Sequence, residues 1–216
     1  MQGKLIVFEG TDGSGKATQS ELLCQELTRR GVPYRKLTFP RYQEESSALV
    51  RLYLGGAFGQ KPGDVNAYAA AAFYSVDRYA SYKQDWGSYY EQGGLLIADR
   101  YTTSNAVHQT SKLPPEQQRQ IRTQLALALE GVVSQQLLAA EGGTLIPAFE
   151  VMTVTPAVRN MIRESKAFQL DSVISTSGAL GMITMDQSIL ELVRGGRVSR
   201  DTALRHASNP DWLEKR

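Results

Sequence analysis

The sequence predicts an α/β fold: a parallel sheet flanked by helices in the N-terminal half, followed by a mainly α C-terminal half with a short strand element. Three observations carry this prediction. Lys4-Leu5-Ile6-Val7-Phe8-Glu9 and Leu95-Leu96-Ile97-Ala98-Asp99 are short apolar runs, and the second suits a strand buried on both faces. A glycine-rich turn from Gly10 to Gly15 separates the first run from a helical stretch. Beyond Leu113 the alternation of strand and helix that marks a parallel sheet gives way to a different texture.

Each element has its own signal. The helix after the turn takes its apolar positions from Leu22, Leu23 and Leu27, ends at Gly31, and cannot continue past Pro33. Tyr34 to Phe39 reads as a second strand closed by Pro40, and Ser46 to Leu54 as a short helix ending at Gly55-Gly56. A longer helix is expected from Val65 to about Tyr82, and Gly93-Gly94 opens the third strand. Pro114 to Leu138 reads as one long helix broken by Gly142-Gly143. Thr144 to Val154 reads as a single strand or a paired element, interrupted by Pro147. Thr155-Pro156 is a helix start, a capping hydroxyl followed by proline at the first helical position. Thr184 and Gln187 have capping-box spacing, and Gly178, Gly181 and Gly195-Gly196 are stops in a helical remainder.

Composition narrows the function. A 42% hydrophobic and 21% charged balance over 216 residues is that of a globular chain able to bury a core. Twenty-four basic against 22 acidic residues leave a net charge of +2, too weak to argue for nucleic acid or an anionic membrane as the main partner. Cys24 is the only cysteine, which excludes an internal disulfide and a cysteine metal cluster. The two histidines, His108 and His206, are far apart in sequence, which argues against a histidine metal or nucleophile site. No run approaches the ~18 apolar residues of a spanning helix, so no membrane insertion is expected. The apolar start is read as a buried strand rather than a signal peptide, and the cytoplasm as the compartment.

The chemistry concentrates in Gly10-Thr11-Asp12-Gly13-Ser14-Gly15-Lys16, which fits G-x-x-x-x-G-K between an expected strand and an expected helix. Glycines let successive backbone N–H groups turn inward around phosphate oxygens, and the helix that follows points its positive end at them. Lys16 is placed to bridge the β- and γ-phosphates of ATP. The sheet is thus of the P-loop NTPase type, with residues 10 to 18 as the nucleotide-binding segment. Ala17 stands where a Ser or Thr usually offers Mg²⁺ a hydroxyl, and Thr18 lies roughly 100° further round the helix. Metal binding then leans on water and on Asp99 or Asp12.

Asp99-Arg100-Tyr101 sits at the C-terminal end of the third strand, the edge where open α/β sheets bind ligands. Asp99 is the candidate metal ligand and Arg100 a bidentate phosphate clamp. The competing reading is a structural Asp–Arg pair. Tyr74 and Arg78, four apart on one helix, suit a flat base by stacking and by reading its edge, with Phe73 as a neighbouring candidate. Plain core packing is the alternative for the aromatics. Arg41, just past Phe39-Pro40, is placed to reach an acceptor phosphate or to sit solvated.

Glu9-Gly10-Thr11-Asp12-Gly13-Ser14-Gly15-Lys16, Phe39-Pro40-Arg41-Tyr42, Phe73-Tyr74-Ser75-Val76-Asp77-Arg78 and Asp99-Arg100-Tyr101 together resemble thymidylate kinase over residues 1–113. The resemblance implies transfer of the ATP γ-phosphate to dTMP, giving dTDP, with ATP and Mg²⁺ as cofactors. It implies Asp12 near the deoxyribose or the metal, and Arg41 and Arg100 on the dTMP phosphate. It further implies Tyr74 stacked on thymine, Arg78 at its edge, and Ser104, Asn105 and Gln109 lining the pocket. Lys16, Asp99 and Arg100 are the catalytic candidates.

Residues 114–216 resemble the C-terminal region of a type IV pilus retraction (twitching-motility) ATPase. Pro115-Glu116-Gln117-Gln118, Arg122-Thr123-Gln124-Leu125, Ser134-Gln135-Gln136-Leu137-Leu138, Ala148-Phe149-Glu150-Val151-Met152 and Thr155 to Glu164 carry that likeness, with Ala179-Leu180-Gly181-Met182 and Asp186-Gln187. The Ala157–Glu164 segment resembles one that family needs for retraction. Val158, Met161 and Ile162 also read as an apolar helix face with Arg159 and Arg163 solvated. The chain thus reads as two partial families joined near Leu113-Pro114. A homo-oligomer is expected, a dimer by the kinase likeness and a hexamer by the motor likeness.

Overall fold

A computed structural model describes residues 3–10, 13–61, 63–103, 113–140 and 143–216. The chain divides into two compact units, Met1–Gln118 and Arg119–Arg216.

In the first unit, β1 (Lys4–Phe8) leads into α1 (Lys16–Arg29) and β2 (Tyr34–Thr38). Then come α2 (Ala48–Leu54), α3 (Ala67–Ser81), a π-helical turn at Tyr82–Trp86, α4 (Gly87–Glu91) and β3 (Leu95–Asp99). The three strands form a parallel sheet in the order β1-β3-β2. The apolar run 95–99 is the centre strand because it can be buried on both faces, and Leu96, Ile97 and Ala98 are fully buried. Val7 lies opposite Ala98, and Phe8 and Thr38 both pair with Asp99, so all three strands end together at the edge that carries the glycine turn. Leu37, Phe39, Trp86, Leu96 and Ala98 make the core of this unit.

The inward stripe of α1 is Ser20 and Cys24 with the partly buried Leu23 and Leu27; Leu22 is 52% exposed, correcting its expected place in the core. The i, i+3, i+4, i+7 spacing from Ser20 selects one face, and Leu22 falls on the other. Asn66 caps α3 through Ala69 N, so that helix begins two residues later than expected.

α5 (Pro115–Ala128) contains the division between the units. β4 (Gly131–Ala139) and β5 (Leu145–Thr153) then form a nine-residue antiparallel pair. The single long helix expected through Leu138 therefore stops at Ala128. Gly131 breaks it, and the β-branched Val132 and Val133 start a strand whose partner lies just beyond the Gly142-Gly143 segment. Pro147 is tolerated because each strand of a two-stranded sheet is an edge. The strand content of this half thus exceeds the short element expected.

α6 (Pro156–Arg163), α7 (Leu170–Thr176), α8 (Met185–Arg194), α9 (Arg200–His206) and α10 (Pro210–Glu214) complete the second unit. Leu138, Ala148, Met185, Ile189, Ala203 and Leu213 form one buried cluster, and Met152, Val154, Val158, Ile174 and Met182 another. Thr155 accepts from Val158 N, and Thr184 with Gln187 closes the expected capping box. Val158 is fully buried, and Arg159 Nη1 donates to the carbonyls of Ala126 and Leu127 at the end of α5. Arg159 is therefore a helix cap, not the solvated side chain expected. Among the described residues, no helix is long and apolar enough to cross a membrane.

Candidate nucleotide site

The glycine turn leaves β1 and enters α1 through backbone angles that side chains avoid. Gly10 has φ 146°, Gly13 φ 80° and Gly15 φ 86°. At Gly10 that φ strains any side chain, and an added Cβ would also meet Ser14 Oγ at 2.7 Å. Gly15 precedes α1 without a side-chain cap, and no acidic residue sits in the first turn. A helix start of this kind, with its positive end and its first N–H groups at the turn, suits an external anion. Lys16 Nζ donates to Gly10 O at 2.9 Å, which folds the ammonium back over the turn. Ala17 and Thr18 are both exposed on the first turn of α1.

The end of β3 is tied to the entrance of this turn. Arg100 N donates to Phe8 O at 3.0 Å. Glu9 Oε1 accepts from Tyr101 N at 3.0 Å and from Thr103 Oγ1 at 2.5 Å. Arg100 itself adopts a left-handed conformation, φ 63°, uncommon for a side chain of its size. Asp99 Oδ1 is buried without a hydrogen-bond partner among the described residues. A buried carboxylate oxygen left in this way fits a hard cation, which takes oxygen ligands. Ala17 supplies no second ligand. Among the described residues, no group of three or more His, Cys, Asp or Glu side chains is placed to hold a metal by itself.

Arg41 follows β2 on the same edge. Its backbone N donates to Asp77 Oδ2 at 2.9 Å, and its Nε lies 3.8 Å from Asp77 Oδ1. Asp77, on α3, is 1% exposed and also accepts from Ser46 Oγ at 2.7 Å. Arg51 grips the same loop from α2 through Tyr42 O and Glu44 O, both at 2.8 Å.

Tyr74 meets Tyr53 edge-to-face at 6.4 Å, and Phe73 packs on Tyr53 and Phe58. Burial pushes the Tyr74 hydroxyl above the usual tyrosine range, with Tyr53 and Tyr42 adding to it and the Arg100 charge opposing. Tyr74, Tyr42, Tyr53 and Arg100 are therefore neighbours. The Arg78 guanidinium lies 5.9 Å from the Tyr101 ring and donates to Ser75 Oγ at 3.0 Å. Burial depresses its pKa while Tyr101 and Asp77 counter.

The structure thus gathers the glycine turn, Lys16, Asp99, Arg100 and Arg41 at one sheet edge. Phe73, Tyr74 and Arg78 lie on α3, Tyr74 beside Arg100 and Arg78 beside Tyr101. Thr11, Asp12, Ser104, Asn105, Gln109 and His108 lie outside the described residues. Sequence reasoning passed over Glu9 and Asp77, although both stand inside the quoted motifs. The available signal was a carboxylate set within an otherwise apolar element. A cavity of about 660 Å³ lies in the second unit, near Glu150, Asp186 and Trp212. Two of its carboxylates are occupied by backbone: Asp186 accepts from Ser208 N and Asn209 N, and Glu150 from Met185 N.

A glycine turn joining a parallel strand to a helix, with a lysine at the helix start, defines a P-loop nucleotide-binding protein. The thymidylate kinase family model matches residues 8–123, just over half of the chain, and the chain belongs to that family. Among curated relatives, thymidylate kinase of Leptospira borgpetersenii is 32% identical over 105 residues, covering 49% of this chain and 48% of the relative. The type IV pilus retractation ATPase PilT of Pseudomonas aeruginosa is 39% identical over 124 residues, covering 56% of this chain and 36% of the relative. A solved structure of the pilus retraction motor PilT with bound ADP aligns over 100% of this chain and 64% of its own, with a TM-score of 0.60 and 21% identity, a likeness of fold. The chain spans about a third to a half of the length of the curated relatives it matches.

Proposed function

We propose that residues 1–113 form a nucleoside monophosphate kinase half that transfers the γ-phosphoryl group of ATP to a phosphate oxygen of dTMP, giving ADP and dTDP. The observation that carries this reading is the glycine turn with Lys16 folded over it, at the end of the sheet where β2 and β3 also deliver Arg41 and Arg100. Membership of the thymidylate kinase family supports dTMP as the acceptor. Backbone amides from Gly10 to Lys16 hold the ATP phosphates, and Lys16 balances charge on the β- and γ-oxygens. Arg41 and Arg100 hold the acceptor phosphate, and Tyr74 and Arg78 place the base. Mg²⁺, when bound, neutralises phosphate charge, and Asp99 with water would hold it. Little covalent chemistry is asked of the chain: positioning and charge supply the rate. The cytoplasm is the compartment that supplies both nucleotides.

Incubation with Mg-ATP and dTMP, followed by chromatography, is expected to yield dTDP, and Lys16→Ala to abolish it. Unchanged turnover in that variant would defeat the assignment.

A second reading concerns residues 114–216. The whole-chain fold likeness to a pilus retraction motor and the 39% identical relative favour an oligomerisation module of motor type. Light scattering separates the two, since the kinase reading expects a dimer and the motor reading a hexamer.

A further inference from the structure

We infer that Asp77 is the positioning residue for Arg41, presetting that guanidinium to receive the phosphate of the acceptor nucleotide. The inference rests on the kinase reading for the identity of the ligand and on the geometry for everything else. A carboxylate that is 1% exposed is costly to bury unless donors and a countercharge surround it. Asp77 has both, and all of them come from one loop: Arg41 N at 2.9 Å, Ser46 Oγ at 2.7 Å, and the Arg41 guanidinium with Nε at 3.8 Å. Anchoring a loop needs acceptors only, which an asparagine oxygen would partly supply. A buried negative charge is needed only if a buried positive charge must be kept in place.

Arg41 is that charge. Its side chain is 18% exposed, and Nε and Nη2 are buried without a hydrogen-bond partner among the described residues. These are two donors of a planar fork, the arrangement that takes two oxygens of a phosphate at once. Asp77 stands close enough to fix the fork electrostatically, yet beyond hydrogen-bond distance of Nε, so it does not consume the donor. Ser47 Oγ donates to Arg41 O at 2.8 Å and receives Arg51 Nη1 at 2.7 Å, so the backbone on the other side of Arg41 is held as well. Preorganisation of this kind lowers the ordering cost of binding rather than adding a contact to the ligand.

The test is a double-mutant cycle on the full chain, read as equilibrium dTMP binding by calorimetry, with urea stability measured alongside. Asp77→Asn is expected to weaken binding about tenfold and Arg41→Ala about a hundredfold, while the double variant matches Arg41→Ala within about twofold, as coupled residues do. Unchanged affinity in Asp77→Asn, or a loss that adds in full in the double variant, overturns the inference and leaves Asp77 a fold anchor only. Should Asp77→Asn not fold, Ser46→Ala removes one donor to the carboxylate; a loss of about two- to threefold, absent in the Arg41→Ala background, is then expected, and no loss overturns the inference. Wild-type binding of dTMP without formation of dTDP removes the kinase reading and leaves the cycle to decide Asp77. Failure of the wild type to bind dTMP overturns both.

Discussion

Glu150 is a charge placed against its interest. It lies on the inner face of β5, in register with Ser134 and alternating with the buried Ala148 and Met152. Burial raises its pKa first, with Asp171 and Asp186 adding to it and the bond from Met185 N opposing. A raised folded-state pKa means the neutral acid suits the fold better than the carboxylate. That contribution is complete below the unfolded pKa near 4.5 and is lost as the pH rises through the folded value. Glu150→Gln keeps an oxygen for Met185 N and never ionises. Its melting temperature is expected to match the parent near pH 4 and to exceed it by about 1–2 °C at pH 7, the side chain being only partly buried. Identical pH profiles in the two proteins would sink this account. Glu26 shows the opposite case: Arg29 and Arg30 hold it at about 2, on the open face of α1. Solvent screening of this surface cluster leaves it little weight in stability.

At the scale of elements, the helix starts carry most of the local specification. Thr184 and Gln187 satisfy each other's backbone, with Gln187 N donating to Thr184 Oγ1 at 3.2 Å and Thr184 N to Gln187 Oε1 at 3.0 Å. Thr184→Ala is expected to cost about 1 kcal/mol in denaturant unfolding; no shift of the midpoint would show that water replaces the cap. This element was legible in advance, as were β1, β2, β3 and the Thr155-Pro156 start, because each is signalled by residues within one turn or one strand. β4 was not legible. Gln135, Gln136, Leu137 and Leu138 all favour helix locally, and the ladder to β5 with the burial of Leu138 outweighs that preference. The site followed the same rule. Lys16 and the glycines were readable because their chemistry is contiguous, whereas the grip of Asp77 on Arg41 spans 36 positions and exists only once α3 is folded.

The whole molecule is built as two units with separate cores, and the family match at 8–123 reaches only a few residues beyond the first. Within that unit the sheet order puts β3, not the phosphate-loop strand, in the middle. Lys4 N bonds Gly94 O and Phe8 O takes Arg100 N, so by the alternation of a parallel ladder the amides of Leu5 and Val7 point away from β3. Among the described residues, no strand bonds that side. Deuterium is therefore expected to enter at Leu5 and Val7 sooner than at Ile6 and Phe8 when amide exchange is followed by NMR; equal protection would reveal a cover present in solution. The glycine turn grows from the margin of the sheet. Whatever seals or frays that margin is expected to register as a change in nucleotide affinity.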